Sequence, residues 1–491
     1  MQTPNIVVFL LDAARSDHFS CYGYDRTTTP FIDHLARSGD LYSQAYSQSI
    51  WSLPAYASLF TGEYPSTHGA VDWGQSINSE SNKLVGDLKE EGYETYAVTT
   101  HLLNCGYGIS DAFDETVWVE KSNRLPHPDD PVYEFVQGKI DSGEFSKKSF
   151  PRALKIFLQE QSWETIPNAI TYALREWKNR TGRWEDDGAE EIIGRAKEIV
   201  DNASRPFFLF TNFVETHDSY RPPQSFIHEY LPEAVTIEEA NKVAQKHLVD
   251  LTLERESLTD REREIIIALY DAEIRYVDSK IKEFVKFLEE QNEIQNTVFV
   301  ICADHGDLFG EWGVYAHQAV IHRDLCRVPL IISTPWGEGE RYNQPVELRQ
   351  LAEYLPDIAA GKQDPLSPQR RAIVEYHGWD CQISDEQWTK LSSEEQSQWG
   401  AYSASCFTKE WQLLVNANGN QFLYNQKDVS SRIDSSITDE DISRKLSKEI
   451  YDILCDPEVI HEEYRNQLSS KDPIEEVDSE VRQHLKDLGY A

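Results

Sequence analysis

Short apolar runs alternate with long amphipathic stretches along the amino-terminal two thirds of the chain. This alternation predicts strands joined by crossover helices, as in an α/β sheet. The predicted strands cover residues 6–11, 207–213 and 297–302, and weaker patterns occur at 93–99 and 330–333. We therefore expect an α/β fold in which a large mixed, mostly parallel sheet is flanked by helices.

One amphipathic stretch is long enough to predict a single helix over residues 261–289. Its apolar side chains recur at near-helical spacing, and charged side chains occupy the other faces. The apolar positions are Ile265, Ile266, Leu269, Ile274, Val277, Ile281, Phe284 and Leu288. We expect one long helix that packs on the protein core.

Two regions depart from the alternation. Residues 120–194 are rich in Trp, Lys, Arg and Glu, and we interpret them as an insertion into a catalytic domain of residues 1–339. Further along, residues 411–415 and 421–424 predict two short strands around the turn sequence Asn-Ala-Asn-Gly-Asn. Residues 340–491 are therefore expected to form a smaller carboxy-terminal α+β domain.

The charge of the chain limits its partners. It carries 84 acidic and 47 basic residues, which gives a formal net charge of −37, and the acidic residues are spread along the chain. Such a surface repels phosphate backbones, so nucleic acid is not an expected partner. A solvated acidic surface is one interpretation of this charge, and adaptation to high salt, as in a halophile, is another.

The sequence predicts a cytoplasmic protein without a membrane span. No run approaches the roughly 18 apolar residues that a spanning helix needs. Residues 1–5 leave no room for the basic start of a signal peptide. The seven cysteines are widely spaced, odd in number and without a Cys-x-x-Cys pair, which is typical of a reducing compartment.

Asp12 directly follows the predicted strand of residues 6–11. In an α/β sheet the ligand crevice lies at the carboxyl ends of the strands, so this carboxylate is expected to face a site. Metal binding is one role for Asp12, and capping of a following helix is the other.

Asp304 and His305 follow the predicted strand of residues 297–302, in the sequence Ala-Asp-His-Gly. A carboxylate and an imidazole suit a divalent cation, and Gly306 allows a tight turn of the backbone after them. The alternative is structural: Asp304 caps the next helix and His305 is a satisfied core histidine.

Ser52 lies in the sequence WSLPAYASLFTG, two residues before Pro54 and ahead of a predicted helix over residues 55–60. The amino terminus of a helix favours anions, although most serines at this place only cap the helix. Ser52 becomes a candidate nucleophile because a neighbouring metal would lower the pKa of its hydroxyl.

These segments resemble the sulfatase family of the alkaline phosphatase superfamily. The resemblance rests on CYGYDRTTTPFIDHLARSG after Asp12, SLFTGEYPSTHG in the segment of Ser52, YDAEIRYVD, ADHG and RVPLII, in this order. It covers most of residues 5–335 and implies an alkaline-phosphatase-like fold. It also implies that Asp12, Asp304 and His305 bind one divalent metal ion (Ca, Mn, Mg or Zn), and that Ser52 is the nucleophile.

Three histidines also match positions of the family. His217, in THDSYRPP, matches a histidine that binds substrate, and His317 matches one that contacts the scissile group or protonates the leaving group. His101 matches a substrate-contacting position, although Thr99 stands where the family has a lysine. The resemblance therefore implies catalytic roles for His217 and His317 and substrate binding by His101 and His217.

The nucleophile segment departs from the family pattern. Sulfatases that convert the nucleophile to formylglycine resemble Cys-x-Pro-Ser-Arg, or the same with Ser first, whereas this chain has Ala55 and Tyr56 in the last two places. Formylglycine at Ser52 is one alternative, and an unmodified serine is the other. An unmodified serine favours phosphate esters, because water can hydrolyse a covalent phosphoserine. Ala13 also replaces a second aspartate of many sulfatases.

The resemblance implies a metal-dependent hydrolase of sulfate or phosphate esters, with a small molecule or a glycan as substrate. Two alternatives remain open. The first alternative is a transferase of phosphoethanolamine or phosphoglycerol groups. The second is a catalytically inactive homologue that binds anionic glycans.

Overall fold

An eight-stranded sheet forms the centre of the molecule, as seen in a computed structural model of the chain. The model describes residues 3–72, 75–77, 79–100, 108–119, 186–203, 206–378, 385–427 and 439–470. The strands of these residues are β1 Asn5–Leu11, β2 Asp40–Tyr42, β3 Ala45–Tyr46, β4 Glu94–Thr99, β5 Glu115–Trp118, β6 Phe207–Phe213, β7 Thr297–Cys302, β8 Leu308–Phe309, β9 Tyr315–Ala316, β10 Arg327–Val328, β11 Leu330–Ser333, β12 Arg341–Tyr342, β13 Val346–Glu347, β14 Ala372–Tyr376, β15 Ser403–Phe407, β16 Trp411–Asn416 and β17 Gln421–Asn425.

Helices of very different length connect and cover these strands. The α-helices of the described residues are α1 Ile32–Ser38, α2 Ser52–Thr61, α3 Pro65–His68, α4 Lys83–Glu90, α5 Ala189–Asn202, α6 Gln224–Ile227, α7 Ile237–Val243, α8 Leu248–Glu254, α9 Asp260–Glu290, α10 Arg323–Cys326, α11 Leu351–Ala359, α12 Asp385–Thr389, α13 Ser393–Trp399, α14 Glu440–Leu454 and α15 Pro457–Ser470. Short 3₁₀ helices occur at Ser16–His18, Ser20–Tyr22, Ser79–Ser81, Ser110–Ala112, Ile294–Asn296, Glu311–Gly313 and Leu348–Gln350. None of the helices in the described ranges combines the length and apolar character that a bilayer crossing needs.

The large sheet has the order β12-β2-β11-β7-β1-β6-β4-β5. Strands β7, β1, β6, β4 and β5 run parallel to one another, whereas β11 runs antiparallel to both β7 and β2. Each of the seven residues of β1 is buried, as expected for a strand covered on both faces. The predicted α/β fold with a mixed, mostly parallel sheet is therefore confirmed.

The register of the central strands places the carboxyl ends of three strands side by side. Leu10 of β1 lies opposite Asn212 of β6 and Cys302 of β7. Because these strands are parallel, the segments that follow them emerge at the same edge of the sheet. The chemistry-bearing sequences predicted after β1 and β7 are thereby brought together.

The predicted long helix is α9. It begins with a capping box, in which the Thr259 side chain accepts from the main-chain N–H of Glu262 and the Glu262 side chain accepts from the main chain of Thr259. Its apolar face packs on the sheet, where Phe284 meets the ring of Phe9 edge-on with centroids 5.7 Å apart. The helix is confirmed, one residue longer at each end than the pattern predicts.

A four-stranded antiparallel sheet, in the order β14-β15-β16-β17, forms the carboxy-terminal part. The predicted hairpin is β16 and β17, each one residue longer than expected. This sheet contacts the catalytic part directly, because the rings of Phe407 and Tyr46 stack with centroids 4.6 Å apart.

The chain between the two sheets belongs structurally to the first. Strand β12 extends the large sheet, and α11 packs against α2 and α4. The division of the chain at residue 340 stays a prediction. Most of the predicted insertion, residues 120–185, lies outside the described residues, and residues 189–194 begin helix α5, which packs on β4 and β6.

Candidate active site

The candidate site lies at the carboxyl edge of the large sheet. Asp12 follows β1, and its main-chain N–H donates to the carbonyl of Phe213 at the end of β6 (2.8 Å). Asp304 and His305 follow β7 after a single alanine. All three side chains are at most 1% exposed, so the site lies within the protein and not on its surface.

Ser52 is the first residue of α2, whose ten residues are all buried. Trp51 occupies the N-cap position, and its side chain makes no capping hydrogen bond. The Ser52 hydroxyl instead lies 3.1 Å from Nε2 of His305. The amino terminus of α2, which is the positive end of the helix dipole, therefore lies beside His305.

The orientation of His305 follows from its second ring nitrogen. Nδ1 lies 3.0 Å from the carbonyl oxygen of Gly306, which can only accept, so Nδ1 carries the proton and Nε2 carries a lone pair. Nε2 lies 3.6 Å from Oδ1 of Asp12 and 3.5 Å from Oδ2 of Asp304. Together with the Ser52 hydroxyl, four electron-rich atoms face one another.

Asp304 is held so that one oxygen faces this centre. Its Oδ1 accepts from the main-chain N–H groups of His305 (2.9 Å) and Ala13 (3.2 Å). Its Oδ2 is buried and has no hydrogen-bond partner within the described part of the chain. Such an oxygen is costly to bury unless a cation compensates it.

Asp12, Asp304 and His305 therefore form a group that can hold a divalent cation. One ligand atom from each lies within 4.8 Å of the other two. Two carboxylates and one imidazole offer both oxygen and nitrogen ligands. Ca²⁺ sites typically contain oxygen ligands only, so this set suits Mn²⁺ or Zn²⁺ better than Ca²⁺.

Gly306 is required at this site for a different reason than the sequence suggested. Its main chain packs so closely on helix α10 that a Cβ atom would lie 2.2 Å from the carbonyl oxygen of Asp324 and 2.9 Å from Cγ of Arg15. The glycine thus permits a close approach, which keeps Asp304 and His305 against the rest of the site.

His317 lies beside His305, with ring centroids 4.4 Å apart. Its Nδ1 lies 2.8 Å from Oδ1 of Asp307, and the Tyr220 hydroxyl donates to Oδ2 of the same carboxylate (2.6 Å). Burial raises the pKa of Asp307 to about 7, although His305 and Tyr220 oppose the shift. Burial, and then the neighbouring His305, lower the pKa of His317 well below its usual value.

Asp307 and Tyr220 are residues of the site that sequence reasoning missed. A signal was present for Asp307, which is the second acidic residue of the segment Asp-His-Gly-Asp. For Tyr220 the only signal was its place in the His217 segment, and that place does not predict a contact with a residue 87 positions away.

His217 completes the group of imidazoles. Its ring centroid lies 5.0 Å from that of His317 and 6.4 Å from that of His305. Its Nδ1 lies 2.7 Å from the main-chain oxygen of Asp218, which fixes the ring. The structure thus brings six predicted site residues together, and the seventh, His101, lies outside the described residues.

A second group of candidate ligands consists of His305, Asp307 and His317. It shares His305 with the first group, and the Nε2 of His305 already faces Asp12 and Asp304. The 2.8 Å separation of His317 and Asp307 is a hydrogen-bond distance. The His317 and Asp307 side chains of the second group can therefore satisfy each other, whereas Oδ2 of Asp304 in the first group has no hydrogen-bond partner among the described residues.

Tyr56 occupies the place where the formylglycine pattern has an arginine. It is 1% exposed, and its hydroxyl accepts from the side-chain amide of Asn212 (2.5 Å). Asn212 lies at the end of β6, and its side-chain oxygen accepts from the Thr99 hydroxyl (3.4 Å). Uncharged side chains joined by hydrogen bonds thus lie where the formylglycine pattern has a positively charged arginine.

The chain is similar to known proteins in both sequence and fold. A model of the sulfatase family matches residues 4–360. An arylsulfatase of Clostridium perfringens is 24% identical over 72% of this chain and 75% of its own, and a choline-sulfatase of Rhizobium meliloti is 22% identical over 74% and 69%. The phosphonate monoester hydrolase of Agrobacterium radiobacter has a similar fold, with a TM-score of 0.64 at 14% identity over 92% of this chain and 95% of that one. The chain therefore belongs to the sulfatase family and is a hydrolase of sulfuric or phosphoric esters.

Proposed function

We propose that the chain is a metal-dependent hydrolase in which Ser52 attacks the ester and Asp12, Asp304 and His305 hold one divalent cation. The observation that carries this proposal is the 3.1 Å contact between the Ser52 hydroxyl and Nε2 of His305, beside two buried carboxylates. A helix cap would explain neither this contact nor the facing lone pairs.

The residues of the site would act in the following way. The α2 amino terminus would attract the non-bridging oxygens of the ester, while Ser52 would attack in line with the leaving oxygen. A divalent cation bound here supplies Lewis acidity and lowers the pKa of the Ser52 hydroxyl. His217 and His317 are the two side chains placed to move protons to and from the reacting oxygens.

The ester class depends on the chemical state of Ser52. The neutral pair of Tyr56 and Asn212 favours an unmodified serine and hence a phosphate mono- or diester. The alternative is formylglycine at Ser52 with a sulfate ester, and it is favoured by relatives named arylsulfatase and choline-sulfatase. We expect mass spectrometry of the Ser52 peptide to show an unmodified serine.

The substrate is expected to be a small molecule or a glycan ester. One relative, from Bacteroides thetaiotaomicron, is named N-acetylglucosamine-6-O-sulfatase, so sulfated and phosphorylated sugars belong in the assay beside nitrophenyl sulfate, phosphate, phosphodiester and phosphonate. Turnover of sulfates alone would contradict the phosphate assignment but leave the role of Ser52 intact.

The role of Ser52 is tested against a matched serine of the same helix. Ser58 is also buried on α2, and its hydroxyl also lies 3.1 Å from a histidine Nε2, that of His68, away from the metal group. We expect Ser52→Ala to lose at least ~1,000-fold in kcat while keeping one bound metal, because the nucleophile is gone but the ligands remain. Ser58→Ala should keep its activity.

The metal ligands are tested by content and by rescue. Chelation with EDTA should abolish turnover, and added Mn²⁺ or Zn²⁺ should restore it in the wild type but not in Asp304→Asn, whose metal content should fall. Full activity of Ser52→Ala, or full metal content of Asp304→Asn with normal turnover, would show that the proposed site is wrong.

A further inference from the structure

We infer that Tyr270 on α9 is a positioning residue of the metal site, whose hydroxyl holds the turn at Ala13 that carries Asp12. The inference rests on the proposed function, because it concerns the binding of a cation by Asp12 and Asp304. It assigns a role to a side chain of the long helix, which is not one of the proposed ligands and takes no part in the attack on the ester.

The chain turns sharply directly after Asp12. The main-chain N–H of Asp12 still bonds to the carbonyl of Phe213 at the end of β6, but Ala13 has a φ of 56° and lies in the left-handed region. This region is unfavourable for alanine, because its Cβ comes too close to the following carbonyl oxygen. Ala13 is also fully buried. Contacts with the surrounding structure must therefore hold it in this conformation.

Tyr270 makes two of these contacts with a single hydroxyl group. The hydroxyl donates to the carbonyl oxygen of Ala13 at 2.8 Å and accepts from the main-chain N–H of Arg15 at 2.7 Å. Tyr270 is fully buried, and its ring meets that of Phe309 edge-on with centroids 5.1 Å apart. Because the turn is buried as well, bulk water cannot replace the hydroxyl as the partner of these two main-chain groups. The hydroxyl thus joins the two sides of the turn.

The same turn affects both carboxylates of the metal site. Asp12 directly precedes Ala13, and the N–H of Ala13 donates to Oδ1 of Asp304 at 3.2 Å. The other carboxylate oxygen of Asp304 lies 3.5 Å from Nε2 of His305. A change of φ at Ala13 would rotate its N–H relative to its carbonyl group, so the bonds to Asp304 and to Tyr270 could not both persist. We therefore expect the Tyr270 hydroxyl to determine how tightly the site binds a cation.

The test measures the affinity for metal directly. Protein freed of metal with EDTA is titrated with Mn²⁺, and electron paramagnetic resonance of the free ion gives the Kd. Tyr270→Phe removes the hydroxyl but keeps the ring. Tyr276→Phe is the matched control on the same helix, because Tyr276 is also buried and loses a 2.9 Å hydrogen bond, to Oδ2 of Asp186, outside the metal group.

A second substitution tests whether Tyr270 acts through Ala13. Glycine adopts a positive φ without the steric cost that alanine has, so in Ala13→Gly the turn should depend less on the hydroxyl. Tyr270→Phe is therefore compared in the wild-type and Ala13→Gly backgrounds, as a double-mutant cycle. A hydroxyl that only stabilises the fold would produce the same change in both backgrounds.

We expect Tyr270→Phe to raise the Kd for Mn²⁺ by about 10- to 100-fold, because residues that orient metal ligands have effects of this size. Tyr276→Phe should keep the wild-type Kd. In the Ala13→Gly background, Tyr270→Phe should raise the Kd by no more than ~3-fold. If Tyr270→Phe alone does not fold, the double variant is required to fold and to bind Mn²⁺ within this limit.

Three results would overturn the inference while leaving the proposed function intact. They are an unchanged Kd in Tyr270→Phe, an equal rise of Kd in both backgrounds, and a double variant that does not fold or does not bind Mn²⁺. Failure of the wild-type protein to bind Mn²⁺, or wild-type affinity in Asp304→Asn, would instead contradict the proposed function, and the inference would fall with it.

Discussion

Glu215 shows how strongly the fold can disturb a single ionisable residue. It follows β6, is 1% exposed, and accepts from the main-chain N–H of Ala189 at 2.6 Å. Burial, and then the nearby carboxylates of Asp186 and Asp187, raise its pKa to about 8. Glu273 on α9 lies close enough to be shifted in the same direction by burial and by these acidic neighbours.

This pKa shift predicts how stability depends on pH. In the unfolded chain Glu215 titrates near pH 4.3, so between about pH 4 and pH 8 the folded protein binds more protons and its stability falls as pH rises. Glu215→Gln cannot ionise, and it should flatten the slope by up to about 1.4 kcal/mol per pH unit. Urea unfolding at several pH values measures the slope. The exposed Glu254→Gln on α8 is the control and should not change it, and an unchanged slope in Glu215→Gln would refute the prediction.

At the scale of elements, the site depends on how closely the loops after the strands pack. The turn after β7 touches helix α10 through Gly306, and α2 is fixed at its beginning by the contact of Ser52 with His305. Neither contact strengthens a helix or strand by itself. Both decide where the ends of these elements lie, and therefore where the reactive atoms meet.

Two glycine-to-alanine substitutions test this packing, one expected to destabilise the protein and the other expected to stabilise it. Gly306→Ala places a Cβ 2.2 Å from the carbonyl oxygen of Asp324, so the backbone must shift. We expect a loss of about 1–3 kcal/mol in unfolding free energy and a loss of turnover with it. Gly86→Ala in α4 meets nothing within 4 Å and should stabilise the protein by roughly 0.5–1 kcal/mol. Thermal unfolding and kcat are measured together, and normal turnover in Gly306→Ala would contradict the proposed dependence.

At the scale of the whole molecule, a formal charge of −37 acts against the compact state. The described basic residues are often already paired; for example, the buried Arg15 pairs with Asp17, Glu311 and Asp324. Much of the acidic excess therefore has to be screened by ions in solution.

This charge predicts a rise of stability with salt. The screening length falls from about 10 Å at 0.1 M to about 3 Å at 1 M, so repulsion between acidic groups weakens. We expect the urea midpoint at pH 7 to rise by roughly 0.5 M or more between 0.1 and 1 M KCl, which corresponds to about 1 kcal/mol for usual denaturant slopes. The same series near pH 5, close to the isoelectric point of about 4.7, is the control and should show a smaller rise. A midpoint that falls with salt at pH 7 would contradict the prediction.

The sequence by itself determined the fold class, the central strands and the long helix α9, because burial on both faces or on one face leaves a periodic record in the chain. It also placed Asp12, Asp304 and His305 after strands, where parallel topology makes neighbours of them. It did not determine the contact of Ser52 with His305 or the hydrogen bonds that link Tyr220, Asp307 and His317. Periodicity records how deeply a residue is buried but not which distant side chain it meets, so only the tertiary structure decided these contacts.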